Sequence, residues 1–371
     1  MKKRTPSPKP LWDTLYPMLI ARFRKLMKLP LGPIDRLQTR EFRSLIENVL
    51  AHKESKSLAS NELLAAYLMY EWPIHYAQGI SLLKELPTPP KRVLDLGTRG
   101  APFSLAALQH GAIDVLAIGD NEPALKYGAD LCGHLGYPVS IRTGDCKRLR
   151  SLSLEGSWDL VILSHSLFQQ FPFQEDQIAY INQILPLLSP EGHLLIVEDS
   201  ATEINRSFLK LRDEIARLNI PIHAPCLWKG DCPALKHGSS PCFAQRPLDK
   251  PFMIKEIQRA ADINLSSLKM SYLILKSPKS APCSFPKSFY RVVSPAVNTF
   301  RGERYFLCGV AGKKTLGTTL KMHPQQSRAF EYLQRGDVIS IEKSVDLEDD
   351  MQITEKTTVE LKAPCDKPIS S

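Results

Sequence analysis

Residues 91–120 read KRVLDLGTRGAPFSLAALQHGAIDVLAIGD, and this stretch decides the fold class. KRVLDLG and DVLAIGD are short apolar runs of the kind that form buried strands, and the helix-forming run FSLAALQHG separates them. A Gly-rich turn follows the first run, and Asp120 ends the second. Strands that alternate with helices in this way predict a parallel, doubly wound α/β sheet.

The same alternation continues along the chain. Helix-spaced apolar residues predict helices within 35–86, and further strands are predicted at PVSIRTGD, WDLVILSHS, HLLIVED and, late in the chain, MSYLILKS at 270–277. We therefore expect a Rossmann-like fold with N-terminal helices. The predicted regions are 1–86, basic and helical; 87–277, the α/β domain with a Cys-rich loop at 226–246; 278–300, a basic linker; 301–343, a small β module; and 344–371, a disordered tail.

The charge is unevenly distributed. Residues 276–328 contain ten Lys or Arg against the single acid Glu303, residues 1–28 contain eight against Asp13, and the chain from 341 onward holds eight acids against four lysines. Two basic blocks favour a polyanionic partner that is bound less tightly as salt rises, the alternative being a solvated basic face. No run approaches eighteen apolar residues, so no transmembrane helix and no membrane partner are expected.

The Gly-rich turn indicates a cofactor loop. Asp95, Gly97, Gly100, Asp120 and Asp145 lie at or just after predicted strands, and their order resembles the S-adenosylmethionine methyltransferase pattern over about residues 90–200. Such methyltransferases usually have Gly-x-Gly-x-Gly here, and this chain has Arg99 at the middle glycine, where it could crowd the methionine half of the cofactor. This departure favours a binding role for the protein over catalysis. Ser164, His165 and Ser166 follow the fourth strand and could contact a substrate or pack the loop, so no catalytic residue is assigned.

A cysteine cluster indicates a metal site. Cys226, Cys232 and Cys242 lie within seventeen residues, with spacings of five and nine residues, and Cys308 follows much later. Thiolates suit zinc or an iron–sulfur cluster, and the missing Cys-x2-Cys knuckles favour the larger cluster slightly. His223 and His237 are further candidate ligands, with a loop histidine as the alternative for each. No secretory signal is evident, so disulfides are not expected.

The cysteine run and its surroundings point to a family. APCLWKGDCPAL, PCFAQRP, AAYLMYEWPIHYA, EDSATE, MSYLILKS and LCGVAGK, ending at Gly336-Asp337, resemble the Rsm-type small-ribosomal-subunit methyltransferase-like proteins over about residues 60–343. Bacterial members are related to the animal mitochondrial methyltransferase-like protein seventeen. One departure is Phe243 directly after Cys242, where the family has His-Phe.

The resemblance implies a class I methyltransferase fold and a 4Fe–4S cluster held by Cys226, Cys232, Cys242 and Cys308. It also implies a monomer that binds small-subunit rRNA during ribosome assembly, in the cytoplasm of a bacterium or alternatively in the mitochondrial matrix. Two alternatives stay open: an active S-adenosylmethionine-dependent rRNA methyltransferase, and a zinc-stabilised RNA-binding protein. We also expect that loss of the cluster disorders the basic linker and the β module.

Overall fold

The computed structural model describes residues 10–30, 32–33, 36–236, 241–280, 284–310, 312–320, 322–347 and 350–365. The α-helices within these ranges are α1 (Trp12–Leu26), α2 (Thr39–Ser55), α3 (Asn61–Met69), α4 (Glu71–Leu82), α5 (Pro102–Gln109), α6 (Glu122–His134), α7 (Leu167–Gln170), α8 (Gln174–Ile184), α9 (Thr202–Arg217), α10 (Pro233–Lys236) and α11 (Phe252–Ala260). Short 3-10 helices span Leu83–Glu85, Leu149–Leu152, Leu185–Leu187 and Gln325–Tyr332.

The strands fall into two groups along the chain. The first group is β1 (Arg92–Leu96), β2 (Asp114–Gly119), β3 (Ser140–Thr143), β4 (Trp158–Ser164), β5 (Leu188–Glu198), β6 (Ile222–Ala224), β7 (Ala244–Arg246) and β8 (Leu268–Lys276). The second group is β9 (Phe289–Val292), β10 (Val297–Thr299), β11 (Gly302–Gly309), β12 (Gly312–Gly317), β13 (Val338–Glu342), β14 (Val345–Leu347), β15 (Asp350–Gln352) and β16 (Thr358–Ala363). The chain divides into two compact units, which are described separately.

The first unit comprises Met1–Leu83, Pro89–Glu155 and Pro247–Leu268. Its strands are parallel in the order β3-β2-β1, and α5 and α6 provide the crossovers. Helix α4 packs closely on α5, because a Cβ atom at Gly79 would lie only 2.8 Å from the Cβ of Ala106. These strands confirm the alternation predicted around residues 91–143.

The second unit comprises Lys84–Thr88, Gly156–Arg246 and Lys269–Ser371, and it begins with a mixed sheet. Strands β4 and β5 are parallel and are joined through α8, whereas β8 runs antiparallel to both β5 and β6. Strand β8 is the late strand predicted at 270–277. The parallel βαβ units of the two regions give the chain a Rossmann-like α/β fold.

A second sheet in the same unit has the order β14-β15-β12-β11-β9-β13-β16, with β10 paired to β11. Its buried core consists of Tyr290, Val292, Tyr305, Leu307, Leu316, Phe330, Leu333, Ile339, Ile341, Met351, Ile353 and Val359. The β module is therefore larger than the predicted range of 301–343, and it contains a hydrophobic core of its own.

The structure corrects two of the predicted boundaries. Residues 278–300 are not a simple linker, because β9 and β10 lie within them. The acidic tail is not disordered throughout, since β16 pairs antiparallel with β13, and Met351, Ile353 and Val359 are buried. High acid content predicted disorder, whereas the few apolar side chains of the tail complete the module's core. Residues 366–371 lie outside the described ranges.

Among the residues that the structure describes, no helix is both long and apolar enough to cross a membrane.

Candidate metal centre and cofactor loop

Helix α9 holds the first part of the cysteine loop through a buried ion pair. Arg212 Nη1 lies 2.8 Å from Asp213 Oδ1, and both side chains are almost completely buried. Arg212 also donates to the carbonyl oxygens of Trp228 and Gly230, and both Asp213 oxygens accept the Cys232 amide, at 2.9 and 3.0 Å. The pair therefore fixes the backbone between Cys226 and Cys232.

The other two cysteines are positioned by the sheets of the same unit. Asn205, also on α9, donates to the Cys242 carbonyl at 2.9 Å and to the Ser271 hydroxyl at 2.8 Å. Cys308 lies on β11, where its register partners are Arg291 on β9 and Lys313 on β12. A helix and a strand thus bring cysteines that are up to 82 residues apart in the sequence to one region of the second unit.

The four cysteines line two adjoining cavities. Cys242, Phe243 and Arg335 line both of them. One has a volume of about 290 Å³ and is lined by Cys232, Cys242 and Cys308, and the other, of about 50 Å³, is lined by Cys226 and Cys242. The larger volume equals that of roughly ten water molecules in the liquid. Three of the four cysteines therefore line a space large enough for a group of several atoms, and Cys226 lines the adjoining cavity.

The side chains that line these cavities are cationic. Arg212, Arg246, Arg291 and Arg335 line the smaller cavity and Lys313 and Arg335 the larger, while no carboxylate is among the described lining residues of either. Their carboxylate partners lie behind them: Asp213 binds Arg212, and Glu85 binds Arg246 at 2.7 Å and Arg291 at 3.5 Å. An anionic group would therefore be electrostatically favoured between the thiols.

Burial favours the neutral form of Cys232, Cys242 and Cys308. Burial, followed by the nearby Cys226, raises the pKa of Cys232 to about 11 and that of Cys242 to about 12. The same two causes raise the pKa of Cys308 well above its ordinary value. Arg212 opposes each of these shifts. Metal binding would therefore have to displace protons from these three thiols.

The described structure does not place the cysteines as ligands of one metal ion. Within the described part of the chain, no three His, Cys, Asp or Glu side chains are placed so that they could hold one metal ion. Tetrahedral zinc needs thiolate sulfurs about 3.8 Å from one another, as follows from its Zn–S bond length.

The candidate histidine ligands do not join the cysteines in the described structure. His223 lies with its Nε2 atom 3.1 Å from the Glu85 carbonyl oxygen, and its ring centroid is 5.2 Å from that of His193. Burial lowers the pKa of His223, so its neutral form is favoured. We therefore interpret His223 as a packed core residue. His237 lies outside the described residues.

A buried polar cluster beside the site was not predicted from the sequence. Glu85 accepts hydrogen bonds from Arg246 at 2.7 Å and from the Tyr272 hydroxyl at 2.6 Å, and its side chain is only 2% exposed. Arg291, the third partner, also donates to the Gly336 carbonyl at 2.9 Å. The cluster ties the segment before β1 to β7, β8 and β9. Arg246 and Gly336 belong to the quoted family motifs, which is the one signal in the sequence that could have indicated them.

The second unit also holds the cysteine loop without any metal. Leu227, one residue after Cys226, packs with Val338 and Ala363 in a separate small core. Because the β module has its own hydrophobic core as well, the structure does not favour the expectation that cluster loss disorders the module. Loss of the cluster should disorder only the cysteine loop and the exposed part of β11.

In the first unit, the predicted cofactor residues lie at one edge of the sheet. Gly97 follows β1, Asp120 follows β2 and Asp145 lies two residues after β3, and the strands are parallel. Gly97 and Gly100 have φ angles of 73° and 82°, which side chains other than glycine rarely adopt. Asp120 and Asp145 are exposed. The structure therefore brings these four residues to the edge where ligands of such folds bind.

Asp95 and Arg99 have different surroundings from those predicted. Asp95 is fully buried and accepts a hydrogen bond from the Ser104 hydroxyl at 2.8 Å. We therefore interpret it as a residue that supports the loop from the protein interior. Arg99 donates to the Lys56 carbonyl at 3.1 Å, and its own carbonyl accepts the Tyr67 hydroxyl at 2.6 Å. The loop is thus anchored to the N-terminal helices at the position where methyltransferases usually have glycine.

The residues after β4 are mostly packed. Ser164 and Ser166 are buried, and His165 has a φ angle of 51° with its amide bound to the Val197 carbonyl at 2.8 Å. The geometry favours loop packing for the two serines. A substrate contact by His165 stays a prediction.

Comparison with known proteins identifies the family. The family model described as mitochondrial small ribosomal subunit Rsm22 matches residues 61–339, which is most of the chain. The chain therefore belongs to the Rsm22 family, as the sequence motifs predicted. No curated protein is similar enough in sequence to count as a match.

Solved structures are similar to a lesser degree. A candidate SAM-dependent methyltransferase from Streptococcus mutans is 17% identical with a TM-score of 0.36, and the match covers 54% of this chain and 48% of that one, about half its length. The plantazolicin methyltransferase BpumL, in complex with SAH and a triazolic desmethylPZN analog, is 14% identical with a TM-score of 0.37, covering 65% and 100%. An rRNA methylase from Streptococcus thermophilus is 14% identical with a TM-score of 0.30, covering 54% and 95%. Because these TM-scores are below 0.5, we draw no conclusion about activity from them.

The buried Asp95 gives a pH prediction. Burial raises its pKa to about 6 in the folded protein, and an unperturbed Asp has a pKa of about 3.9. Its stabilising contribution is therefore complete below about pH 4 and is lost as the pH rises through about 6. Asp95→Asn should match the wild type at pH 4 and exceed it at pH 7 by up to about 3 kcal/mol in unfolding free energy.

Urea unfolding at a series of pH values measures this difference. The same substitution at the exposed Asp120 is the matched control and should change stability little at either pH. A stability difference for Asp95→Asn that does not vary with pH would contradict the prediction.

Proposed function

We propose that this protein is an rRNA-binding assembly or translation factor of the small ribosomal subunit, in which a methyltransferase-like fold serves as a scaffold. The observation that carries the proposal is the Rsm22 family match, whose description names the mitochondrial small ribosomal subunit. The match includes the cofactor loop, the cysteine loop and strands β9 to β12 of the second sheet. The family's description also fits the mitochondrial matrix better than the bacterial cytoplasm.

The proposal includes a 4Fe–4S cluster held by Cys226, Cys232, Cys242 and Cys308. Three of the thiols line a cavity of about 290 Å³, and Cys226 lines the adjoining cavity of about 50 Å³ with Cys242. The cationic side chains in both linings support the proposal, since four thiolates with such a cluster form an anionic group. A bound cluster would link the cysteine loop to β11, and its binding free energy would add to the stability of that region. Zinc is the alternative occupant.

The exposed basic side chains of the second unit are the proposed rRNA contacts. Lys279, Lys287, Arg301 and Arg328 are exposed, whereas Arg291 is buried against Glu85. Some of the basic residues in 276–328 are therefore too buried to contact RNA. Exposed cations favour phosphate through release of counterions, which makes such binding sensitive to salt.

Methyl transfer is the rival proposal. The left-handed glycines and the exposed Asp120 support a site for S-adenosylmethionine. The anchoring of Arg99 to Lys56 supports a loop with a structural role instead. Catalytic residues are not assigned in either case.

Binding to the subunit is the first test. The full-length protein, purified without oxygen, should co-sediment with small ribosomal subunits and not with large ones. Removing the charges of Lys279, Lys287 and Arg328 together, each to Gln, should weaken binding and reduce the slope of log affinity against log salt by about 2 to 3, because each phosphate contact contributes roughly 0.7 to 0.9. The control is Lys126→Gln, an exposed lysine paired with Glu122 in the first unit, which should leave binding unchanged. Wild-type protein that fails to co-sediment would contradict the proposal.

Metal content is the second test. Protein purified without oxygen should be brown and contain about four irons per chain, as expected for one cubane cluster with four thiolate ligands. Cys232→Ser should lose most of the iron while the β module stays folded, which circular dichroism can follow. Cys146→Ser, a buried cysteine of the first unit, should keep it. Colourless protein with one zinc ion would support the zinc alternative and exclude the cluster.

A measurement of cofactor binding distinguishes the scaffold proposal from the methyltransferase proposal. Titration calorimetry with S-adenosylmethionine should give no measurable heat of binding if the fold is only a scaffold. Tight binding that Asp120→Ala abolishes would favour the methyltransferase, because an acid at the end of the second strand is placed to bind ribose hydroxyls. Glu122→Gln, an exposed acid two residues further on, is the matched control.

A further inference from the structure

The outer face of β11 and β12 carries an exposed aromatic ring beside a lysine that has no carboxylate partner among the described residues. Phe306 is 38% exposed, and Lys313 Nζ lies 5.2 Å from its ring centroid. Beyond the other end of β11, Phe300 is 94% exposed and lies 5.2 Å from the Arg301 guanidinium. Single exposed aromatic residues are common on protein surfaces, but an exposed ring with an adjacent cation is the combination that binds unpaired nucleotides by stacking and charge.

The neighbouring charges show which cations are available to a ligand. Lys314 lies 3.3 Å from Asp346, and Arg304 is paired with Asp350. Among the described residues, Lys313 and Arg301 have no carboxylate within ion-pair distance. The acidic part of the tail therefore neutralises two of the four basic residues around β11 and leaves the two that accompany exposed rings.

Phe306 and Lys313 are also part of the wall of the cysteine cavity. Both line the cavity of about 290 Å³ together with Cys232, Cys242 and Cys308. Lys313 is the register partner of Cys308, and Phe306 precedes Cys308 by two residues, so its side chain lies on the same face of β11. Phe300 lies outside this wall, since Gly302 and Cys308 at the two ends of β11 are about 20 Å apart.

We infer that Phe306 and Lys313 form a binding site for an unpaired nucleotide of RNA, and that the bound RNA covers the cysteine cavity. Phe300 and Arg301 form a second contact for the same strand, away from the cavity. The inference rests on the proposed function, because it takes single-stranded RNA as the ligand and a metal cluster as the occupant of the cavity. Bound RNA would then shield the cluster from solvent, and occupation of the cavity would fix β11 for the RNA.

The test uses the full-length protein with its cluster and a short fluorescein-labelled oligouridylate. Affinity is measured by fluorescence anisotropy at several salt concentrations. Phe306→Ala should weaken binding by about 5- to 150-fold, the range for loss of one stacked base. Lys313→Gln should reduce the salt slope by about one. Tyr332→Ala, which removes another ring exposed to 66%, and Lys314→Gln are the matched controls and should bind nearly as the wild type does.

The second readout is the release of iron to a chelator, with and without RNA. Each variant is compared with itself, so that a weaker cluster in one variant does not confuse the result. RNA should slow iron release in the wild type and in Phe300→Ala at saturating RNA, but not in Phe306→Ala. Wild-type protein that binds RNA without any change in iron release would overturn the inference and leave the proposed function intact, as would Phe306→Ala with wild-type affinity. Wild-type protein that binds neither the oligonucleotide nor small subunits would overturn both.

Discussion

The buried ion pair of Arg212 and Asp213 is the interaction on which the cysteine site depends. Two adjacent residues of α9 place a cation and an anion in the interior, where each needs hydrogen-bond partners. They achieve this by binding the backbone of the cysteine loop, the carbonyls on one side and the Cys232 amide on the other. Removing one partner of such a buried pair typically costs about 3 to 5 kcal/mol. The loop conformation is therefore set by charge compensation, before any metal is considered.

The same principle explains the lining of the cavities. Arg246 and Arg291 are buried because Glu85 compensates them, and their guanidinium groups still line the space between the thiols. Glu85 and Asp213 thus compensate three of the four arginines that line the smaller cavity, Arg212, Arg246 and Arg291. The cationic lining is the feature on which the proposal of an anionic metal centre rests. The protonated state of three of the thiols is the cost that metal binding must offset.

The first unit has a Rossmann-like fold, but this fold does not by itself show that the protein is an enzyme. The strand order, the crossover helices and the left-handed glycines belong to a Rossmann-like fold, but a fold accommodates many functions and does not prove any one of them. Asp95 is used to support the loop, and Arg99 fixes it to the N-terminal helices. In the second unit, by contrast, conspicuous polar groups converge on the cysteine cavities. The buried charged side chains and the cysteines of the candidate metal centre therefore lie in the second unit, whereas the cofactor loop lies in the first.

The sequence by itself determined the strand and helix alternation and the family. These are local features, because hydrophobic periodicity and motif spacing are properties of neighbouring residues. Only the tertiary structure decided that Glu85 compensates arginines 161 and 206 residues away, that His223 is a core residue, and that the acidic tail completes a β-sheet. The physical reason is that buried charges and sheet edges find their partners through space, and local sequence patterns do not encode which distant segment supplies them.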